Sequence, residues 1–448
     1  MIPPKPKSRQ GRGSVWRFIR DFRRDILSAQ SERLYSAWMA EFRGPFIHSF
    51  TCNDPKLVDL VLKRRPMDFP KSPRMAAGLQ PLLGNSSFIS NGETWRRQRR
   101  IIDPAFEGGR LREAFPAMWE AAQSAVNRLA PLADGRQIDI EPQTSHVAAD
   151  VIFRTLFSIP IEDAIATQVF EAFRDHQAAQ PMVNLGGLIA LPRWARLHNR
   201  RVRHSARRIR DLIRQLVAAR AARIAQGDAP DDLATKIMTT PDPQTGAVFT
   251  DREMVDEVAT FFLAGHETGA SALAWALYLL AENPDWQDRL AQEARANLKP
   301  DFSAIKALPL ARAVFREALR LYPPVAMTVR QCARAETLRG RPAPKGSQVV
   351  LSPFHLHRHE RLWDNPDAFD PGRWETENGK TCLREAYIPF SAGARACPGA
   401  GFAMIEGPLI LSALLRRYRL DPGNERPVPI MRLTLRGMNG ILLRLRPR

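Results

Sequence analysis

Apolar positions recur at helical spacing along most of the chain, and helices therefore dominate its predicted structure. The predicted helices cover residues 54–62, 93–102, 162–174, 196–226, 250–282, a segment that begins at Asn283-Pro284, 310–321 and 400–418. Short strands are predicted at 45–51, 325–331 and 348–351. Residues 71–92 are rich in proline, glycine and serine, so we expect them to be irregular.

The most apolar of these helices is the one at 250–282. It begins with Thr250 and Glu253, which have the spacing of a capping box. Its apolar residues occupy every face, so we expect it to pass through the middle of the protein. A mid-helix Gly265, followed by Thr268 whose hydroxyl can bond a carbonyl one turn back, would widen the groove locally.

An apolar connection at 180–194 is unusual for a segment that faces solvent. A mobile lid or an edge that touches a membrane would explain its composition. Ordinary packing beneath the connection would explain it equally well, and the pattern leaves these alternatives open.

Composition indicates one large folded domain. The 448 residues are 44% hydrophobic and 25% charged, which is enough to bury a sizeable core, and no repeat or linker interrupts them. We expect a mainly α, single-domain fold with small peripheral β-sheets at 31–448, preceded by a basic segment at 1–30. That segment has no apolar run long enough for a signal peptide or a membrane span; a surface helix is favoured over a membrane-surface one.

The chain is strongly basic and its cysteines are scattered. A net charge of +19 predicts an acidic partner, although charge alone does not choose among nucleic acid, membrane and protein. Cys52, Cys332, Cys382 and Cys397 have no CxxC spacing, which argues against a disulfide framework and a zinc ribbon. A reducing cytoplasm fits this pattern best.

The segment with the clearest chemistry runs from Phe390 to Gly399, just before the last predicted helix. A cysteine before a helix N-terminus has its thiolate stabilised by unpaired backbone N–H groups, so Cys397 is suited to bind a metal. Gly393 and Gly399 remove side chains where a flat macrocycle would approach, and Arg395 offers a partner for a carboxylate.

This pattern, FxxGxRxCxG, resembles the haem-binding loop of the cytochrome P-450 family of haem-thiolate monooxygenases, and the resemblance extends over nearly the whole chain. Further motifs follow in the family's order: a WxxxR helix at Trp95 and Arg99, an oxygen-activation motif at Ala264–Thr268, an ExxR helix at Glu317 and Arg320, and a meander at Phe369–Trp374. Two departures are Gly269, where the family often has a hydroxyl residue, and Pro408, which should kink the last helix.

The resemblance implies a role for each matching residue. Cys397 would bind the iron of haem b, in a loop that includes Phe390, Gly393 and Gly399. The haem propionates would meet Trp95, Arg99, Arg330, His357 and Arg395. Glu267 and Thr268 would deliver protons to O2, the co-substrate. Glu317 and Arg320 lie one helical turn apart, and with Arg373 they would form a buried triad that holds the meander.

The implied reaction is hydroxylation of a hydrophobic small molecule, such as a fatty acid or a terpenoid. The predicted pocket residues are Phe88, Ile89, Phe261, Phe262, Ala264, Val325, Met327 and Met438, together with the connection at 180–194. No GxGxxG fingerprint occurs, so electrons would come from a separate acidic ferredoxin or flavoprotein with NAD(P)H upstream. Helical geometry predicts that Arg97 and Arg100 point outward and form a basic docking patch with Arg416 and Arg417.

Three alternatives are weaker. A peroxygenase would not need the acid–alcohol pair Glu267-Thr268. A nucleic-acid-binding protein could use the arginine-rich run at 193–214, but this run has few aromatic residues and no binding motif. A zinc site could use His355, His357 and His359 on one face of an extended segment, but no further ligand is evident nearby.

Overall fold

The structure is a computed structural model, and it describes residues 1–10, 20–22, 25–44, 47–179 and 200–448. Helices dominate these residues, as the sequence predicts. The chain divides into two compact units, which are described one at a time. The first unit comprises Met1–Pro70, Ala122–Thr144 and Thr268–Arg448, and the second comprises Lys71–Ala121 and Ser145–Glu267.

The α-helices in the described residues are numbered in chain order. They are α1 (Pro55–Asp59), α2 (Pro73–Leu83), α3 (Gly92–Ile102), α4 (Arg110–Glu113), α5 (Phe115–Leu129), α6 (Glu141–Phe157), α7 (Ala164–Ala179), α8 (Arg200–Gln226), α9 (Leu233–Thr239), α10 (Asp251–Phe261), α11 (Glu267–Ala281), α12 (Pro284–Asn297), α13 (Pro309–Leu321), α14 (Pro353–Leu356), α15 (Glu377–Glu385) and α16 (Ala400–Arg417).

The described strands all belong to the first unit. They are β1 (Met39–Gly44), β2 (Ile47–Cys52), β3 (Gln137–Asp139), β4 (Thr328–Gln331), β5 (Glu336–Leu338), β6 (Arg341–Ala343), β7 (Gln348–Leu351), β8 (Tyr418–Pro422), β9 (Pro429–Met431), β10 (Leu435–Gly437) and β11 (Leu442–Pro447). One sheet has the order β1-β2-β7-β4 and another the order β3-β11-β8, while β10-β9 and β5-β6 form two-stranded sheets.

Strand β2 of the larger sheet in the first unit leads into a helical segment that contacts the loop at Phe390–Gly399. Strand β2 runs parallel to β7, with Phe50 opposite Val349, and both side chains are fully buried. Helix α1 follows β2; the Asp54 side chain accepts the Lys56 N–H and caps it. The helix continues as a π-helical turn at Leu60–Arg64.

The second unit is built around α10. The predicted capping box is confirmed, because the Thr250 side chain accepts from the Glu253 backbone while Glu253 accepts from the Thr250 backbone. The helix is not regular throughout: a π-helical turn at Phe262–His266 separates α10 from α11. Such a turn inserts an extra residue into the helix and is frequent at functional sites.

One prediction about local structure needs correction. Residues 71–92 are not irregular throughout, because α2 occupies Pro73–Leu83; Ser72 accepts the Arg74 N–H and caps the helix. The strand expected at 45–51 is present as β2, and it pairs with β1, which has no counterpart among the predicted strands. The connection at 180–194 lies outside the described residues.

Residues close to the N-terminus bond to other parts of the first unit, to which they belong. Tyr322 donates to the Pro4 carbonyl (2.6 Å), and Lys5 pairs with Asp367 (2.6 Å). The division of the chain at residue 30 stays a prediction. Within the described part of the chain, no helix combines the length and the apolar character that a membrane crossing requires.

Candidate active site

The loop before α16 leaves the side chain of Cys397 exposed. Its backbone N–H donates to the Phe390 carbonyl (2.9 Å), and its own carbonyl accepts from the N–H of Ala400 (3.3 Å), the first residue of α16. These two bonds close the loop around the cysteine. Cys397 is exposed, whereas the other three cysteines of the chain are buried.

The other three cysteines are buried, and burial keeps their thiols protonated. It raises the pKa of Cys52 to about 12 and the pKa values of Cys332 and Cys382 to about 11. A thiol that stays protonated at neutral pH is a poor metal ligand. The exposed Cys397, before a helix N-terminus, is therefore the cysteine best placed to bind one.

Two residues of the loop adopt left-handed backbone conformations. Gly393 has a φ of +66°, and a Cβ at this position would collide with the Leu62 carbonyl of the π-helical turn after α1. Ser391 has a φ of +60°, which is uncommon for a residue with a side chain. Gly399, by contrast, has room: an added Cβ would lie 3.8 Å from the Cys397 sulfur.

Two buried guanidinium groups of the first unit influence each other. Arg395 is 7% exposed and Arg330 is 5% exposed, and among the described residues the Arg330 Nε has no hydrogen-bond partner. Burial, and secondarily the charge of Arg395, lower the pKa of Arg330 to about 10. Two such cations, placed in a protein interior, are suited to bind an anion.

The structure brings together the predicted triad. Glu317 accepts from Arg320 through both carboxylate oxygens (2.9 and 2.8 Å) and from the Nε of Arg373 (2.9 Å). The side chains of Glu317 and Arg320 have no exposed area, and that of Arg373 is 4% exposed. Such a buried arrangement fixes geometry more than it adds net stability.

The arginines of the triad also bind the chain segment that follows His357. Arg320 donates to the carbonyls of His357 (2.8 Å), Pro366 (2.6 Å) and Ala368 (2.8 Å). Arg373 donates to the carbonyls of Asp364 (2.8 Å), Asn365 (3.1 Å) and Ala368 (3.1 Å). Glu317 also accepts from the Asp370 N–H (3.1 Å), so the triad holds the start of the meander and the segment just before it, as the resemblance implies.

The geometry gives His357 a structural role in place of the expected propionate contact. Its Nε2 lies 2.9 Å from the Ile388 N–H and accepts from it, so the proton is on Nδ1, which donates to the Arg320 carbonyl (3.3 Å). Burial, and then the charge of Arg320, lower the pKa of His357 to about 3. A neutral ring with both nitrogens bonded has no donor left for a carboxylate.

The neighbouring histidines do not form a zinc site. His355 bonds Ser352 (2.7 Å), and His359 stacks on Trp38 with 4.4 Å between ring centroids. The segment is helical at α14 rather than extended, so the three rings do not share one face. Among the described residues, no group of three or more His, Cys, Asp or Glu could hold a metal ion.

In the second unit, Trp95 and Arg99 lie one turn apart on α3. Trp95 is 4% exposed, with the Lys71 ammonium 5.8 Å from its ring centroid. Arg99 is largely buried, and its Nε donates to Asp103 (2.6 Å). That bond orients the guanidinium along the helix, and the predicted role of both residues stays a prediction.

The π-helical turn and the residues after it form the predicted oxygen-activation motif. Gly265 packs so closely on Ile152 that an added Cβ would lie 2.5 Å from its Cδ1. His266 is buried and bonds Ser145 (2.6 Å). Glu267 is 3% exposed and Thr268 is half-buried.

The predicted pocket residues differ in exposure. Phe262 is 2% exposed and packs on Phe153, Phe157 and Phe173, so it belongs to the core of the second unit rather than to a pocket wall. Ile89 is also buried. The other predicted pocket residues range from half-buried to exposed: Phe88, Phe261 and Ala264 in the second unit, and Val325, Met327 and Met438 in the first.

The arginines of the expected docking patch have different surroundings, and the patch itself stays a prediction. Arg97 pairs with Glu253 (2.6 Å), and Arg100 pairs with the fully buried Asp242 (2.5 Å), so neither side chain simply points outward. Arg416 and Arg417 end α16, whose 1.5 Å rise per residue puts them roughly 25 Å along the helix from its start beside Cys397.

Sequence reasoning missed several contacts that shape the site. The approach of the Leu62 carbonyl to Gly393 and the left-handed Ser391 depend on chain geometry that no motif encodes. The bonds between Glu257 and Ser87 are a further case. The pair of adjacent acids Asp256 and Glu257, within a helix predicted to cross the interior, was the only signal for them.

Comparisons with known proteins agree with this geometry. The cytochrome P450 family model matches residues 29–444. Cyclooctat-9-en-7-ol 5-monooxygenase of Streptomyces melanosporofaciens is 34% identical over 85% of this chain and 81% of its own length, and cyclooctatin synthase of the same organism is 34% identical over 84% and 86%. The crystal structure of a mutant cytochrome P450DA heme domain matches with a TM-score of 0.83 and 25% identity, covering 100% of this chain and 98% of that one. The family match over most of the sequence, together with these relatives, shows that the chain belongs to the cytochrome P450 family.

Proposed function

We propose that this haem-thiolate monooxygenase binds haem b through Cys397 and hydroxylates an apolar small molecule with O2 and electrons from a separate acidic donor. The observation that carries the proposal is the loop around Cys397, which exposes one thiol before a helix N-terminus. When bound, the haem would supply the activation of O2, and the Cys397 thiolate would contribute electron density to it.

The residues of the first unit fit the cofactor. The buried Arg330, whose Nε has no hydrogen-bond partner in the described part of the chain, lies within electrostatic range of Arg395, and a haem propionate is an anion that both cations would attract. Gly399 offers backbone without a side chain beside Cys397, whereas the glycine at 393 is required by the Leu62 carbonyl. The resemblance assigns Trp95 and Arg99 to the propionates as well, and that assignment stays a prediction.

Glu317, Arg320 and Arg373 support the site without reacting. Their bonds to the Ala368 carbonyl, just before the meander, hold the segment that leads to Ile388, and His357 in turn bonds the Ile388 N–H (2.9 Å). The position of Phe390, and with it the Cys397 amide, depends on this chain of contacts. A fixed ligand loop keeps the thiolate oriented through the catalytic cycle.

We assign proton delivery to Glu267 and Thr268. The Thr268 hydroxyl would donate its proton to reduced oxygen, and the Glu267 carboxyl would replace that proton. The assignment is supported by the burial of Glu267, which is 3% exposed directly after the π-helical turn. The requirement for delivered protons favours O2 over peroxide as the oxidant.

The substrate class rests on composition and on the relatives. The predicted pocket residues are apolar, and two relatives that are 34% identical are named for cyclooctat-9-en-7-ol and cyclooctatin. An apolar cyclic alcohol is therefore the first substrate class to test, ahead of fatty acids.

A reducing compartment is supported by four scattered cysteines, none in a disulfide.

The function can be tested at the proposed iron ligand. Cys397→Ser should lose the long-wavelength Soret band of the reduced CO complex and all turnover with NAD(P)H and a donor, because a neutral hydroxyl cannot replace the thiolate. Cys332→Ala, which removes a buried thiol, is the matched control and should keep both. A normal thiolate band in Cys397→Ser would show that another residue binds the iron, and turnover with peroxide alone would favour a peroxygenase.

A further inference from the structure

Residues 84–91 of the second unit, hereafter the 84–91 loop, connect α2 to α3 and carry Phe88 and Ile89. Three polar residues on one face of α10 contact this loop. Asp256 accepts from the Asn85 N–H (2.8 Å), and the Thr260 hydroxyl donates to the Ser86 oxygen (2.6 Å). The third residue is Glu257.

Glu257 binds Ser87 at two points. One carboxylate oxygen accepts from the Ser87 N–H (2.7 Å) and the other from the Ser87 hydroxyl (2.7 Å). The remaining polar atom of Ser87, its carbonyl oxygen, accepts from the Lys71 ammonium. Every polar atom of Ser87 is therefore held, and the residue that follows is Phe88.

This contact is buried, so water cannot replace it easily. Glu257 has no exposed area and Lys71 is 7% exposed. A buried carboxylate that loses its partners leaves a desolvated charge, which makes its bonds costly to break. The proposed chemistry uses neither Glu257 nor Lys71, so the cluster has another role.

We propose that Glu257 is a positioning residue that fixes the 84–91 loop through Ser87 and thereby sets how Phe88 and Ile89 meet the substrate. The inference rests on the proposed function, because it takes Phe88 and Ile89 as pocket residues. Glu257 acts only through Ser87 and does not itself touch the reacting atoms. Substrate discrimination, rather than the chemical step, is the property that it controls.

Protonation offers a way to release this contact. Burial raises the pKa of Glu257 to about 7, against the opposing effects of its Ser87 bonds and the Lys71 charge. The other charged groups nearby are Asp256 on the same helix and Arg210 of α8, which bonds Asp256 (2.6 Å). The ionised carboxylate accepts both Ser87 donors, whereas protonation puts a donor on one oxygen and removes the attraction to Lys71. The loop is therefore held more firmly above about pH 7 than below it.

Hydrogen–deuterium exchange of the haem-loaded enzyme tests the contact directly. Glu257→Ala should speed exchange in the 84–91 loop by about tenfold, because it removes hydrogen bonds to a charged group. Glu257→Gln keeps an acceptor and should fall between that variant and the parent, as should Ser87→Ala. Asp251→Asn, which neutralises an exposed acid of the same helix, should exchange like the parent.

The pH dependence separates positioning from simple structural loss. Corrected for intrinsic rates, exchange in the 84–91 loop of the parent should rise as the pH falls from 8 to 6, while Glu257→Gln should show no such rise. Equal loop exchange in the parent and Glu257→Ala would overturn the contact. A rise in Glu257→Gln that matches the parent would overturn the role of its ionisation.

Ligand discrimination tests the consequence for the pocket. The probes are imidazole and 4-phenylimidazole, which bind haem iron and differ in the bulk that reaches the surrounding side chains. Glu257→Ala should change the ratio of their dissociation constants by about fivefold or more and leave imidazole binding nearly unchanged. An unchanged ratio despite faster loop exchange would overturn the role in specificity. If the parent lacked a thiolate CO band, the proposed function would fail, while the exchange result would still decide the contact.

Discussion

At the scale of single residues, Glu406 is a carboxylic acid buried in α16 without a charged partner. It is 5% exposed, and its Oε1 has no hydrogen-bond partner among the described residues. Burial alone raises the pKa of Glu406 to about 8. Most of the folded protein therefore carries this group protonated at neutral pH.

The pKa of Glu406 predicts how stability depends on pH. Its folded-state pKa exceeds the ordinary value of 4.5, so the folded protein binds the extra proton more tightly, and stability should fall as the pH rises from about 4.5 through about 8. Glu406→Gln stays neutral. When the pH is raised from 6 to 9, its free energy of unfolding should therefore fall by on the order of 1–3 kcal/mol less than that of the parent. Urea unfolding at both pH values measures this difference. The exposed Glu425→Gln is the control, and parallel pH profiles for the parent and Glu406→Gln would refute the prediction.

At the scale of elements, local signals located helix ends and the cysteine loop, while contacts distant in sequence escaped prediction. Thr250 and Glu253 cap α10 because both partners lie within one turn. Helical geometry predicted that Arg97 points outward, but it could not reveal that Glu253, far along the chain, pairs with Arg97. Helix α2 was missed because its proline and glycine content hid the capping signal of Ser72.

The π-helical turn also escaped prediction, since an apolar helix with a residue inserted keeps nearly the same pattern of hydrophobic positions. The candidate site shows the same limit. The motif at Phe390–Gly399 located the cysteine loop by residue types at fixed spacing. The ExxR motif and Arg373 likewise predicted a triad that the structure forms. The two-nitrogen bonding of His357 could not be predicted, because Ile388 and Arg320 reach it from distant positions in the chain.

The helix that contains the π-helical turn makes a prediction about coupling. Thr268→Ala should reduce product formed per NAD(P)H consumed by about tenfold or more and release the difference as peroxide, because reduced oxygen would lose its proton donor. Substrate-binding spectra should stay near those of the parent. Ser271→Ala is the control: it removes another hydroxyl from α11, one that donates to the Leu435 carbonyl (2.5 Å), and should leave the ratio unchanged. An unaltered ratio in Thr268→Ala would remove Thr268 from the proton path.

At the scale of the whole molecule, 66 lysines and arginines exceed 47 acids, but the unpaired positive charge is not distributed evenly over the chain. Many arginines are neutralised locally, as Arg97 and Arg100 are in the second unit. Beside the cysteine loop, Lys63 and Arg64 are 49% and 62% exposed and share one acid, Asp59. Their segment lies next to the loop, since a Cβ on Gly393 would be 3.0 Å from the Lys63 Cα. One net positive charge therefore remains exposed there.

An acidic electron donor should respond to this charge. The double variant Lys63→Glu and Arg64→Glu should slow the first electron transfer from the donor by about tenfold at low salt and weaken its salt dependence, because electrostatic steering acts on association and is screened by ions. Stopped-flow reduction under CO, across a series of salt concentrations, measures the rate. The control is Arg416→Glu with Arg417→Glu, which reverses two exposed charges at the far end of α16 and should reduce at the parent rate. Haem content and ligand-binding spectra should be normal in both. A slower rate in the control with an unchanged rate in the first variant would place the donor at the end of α16 instead.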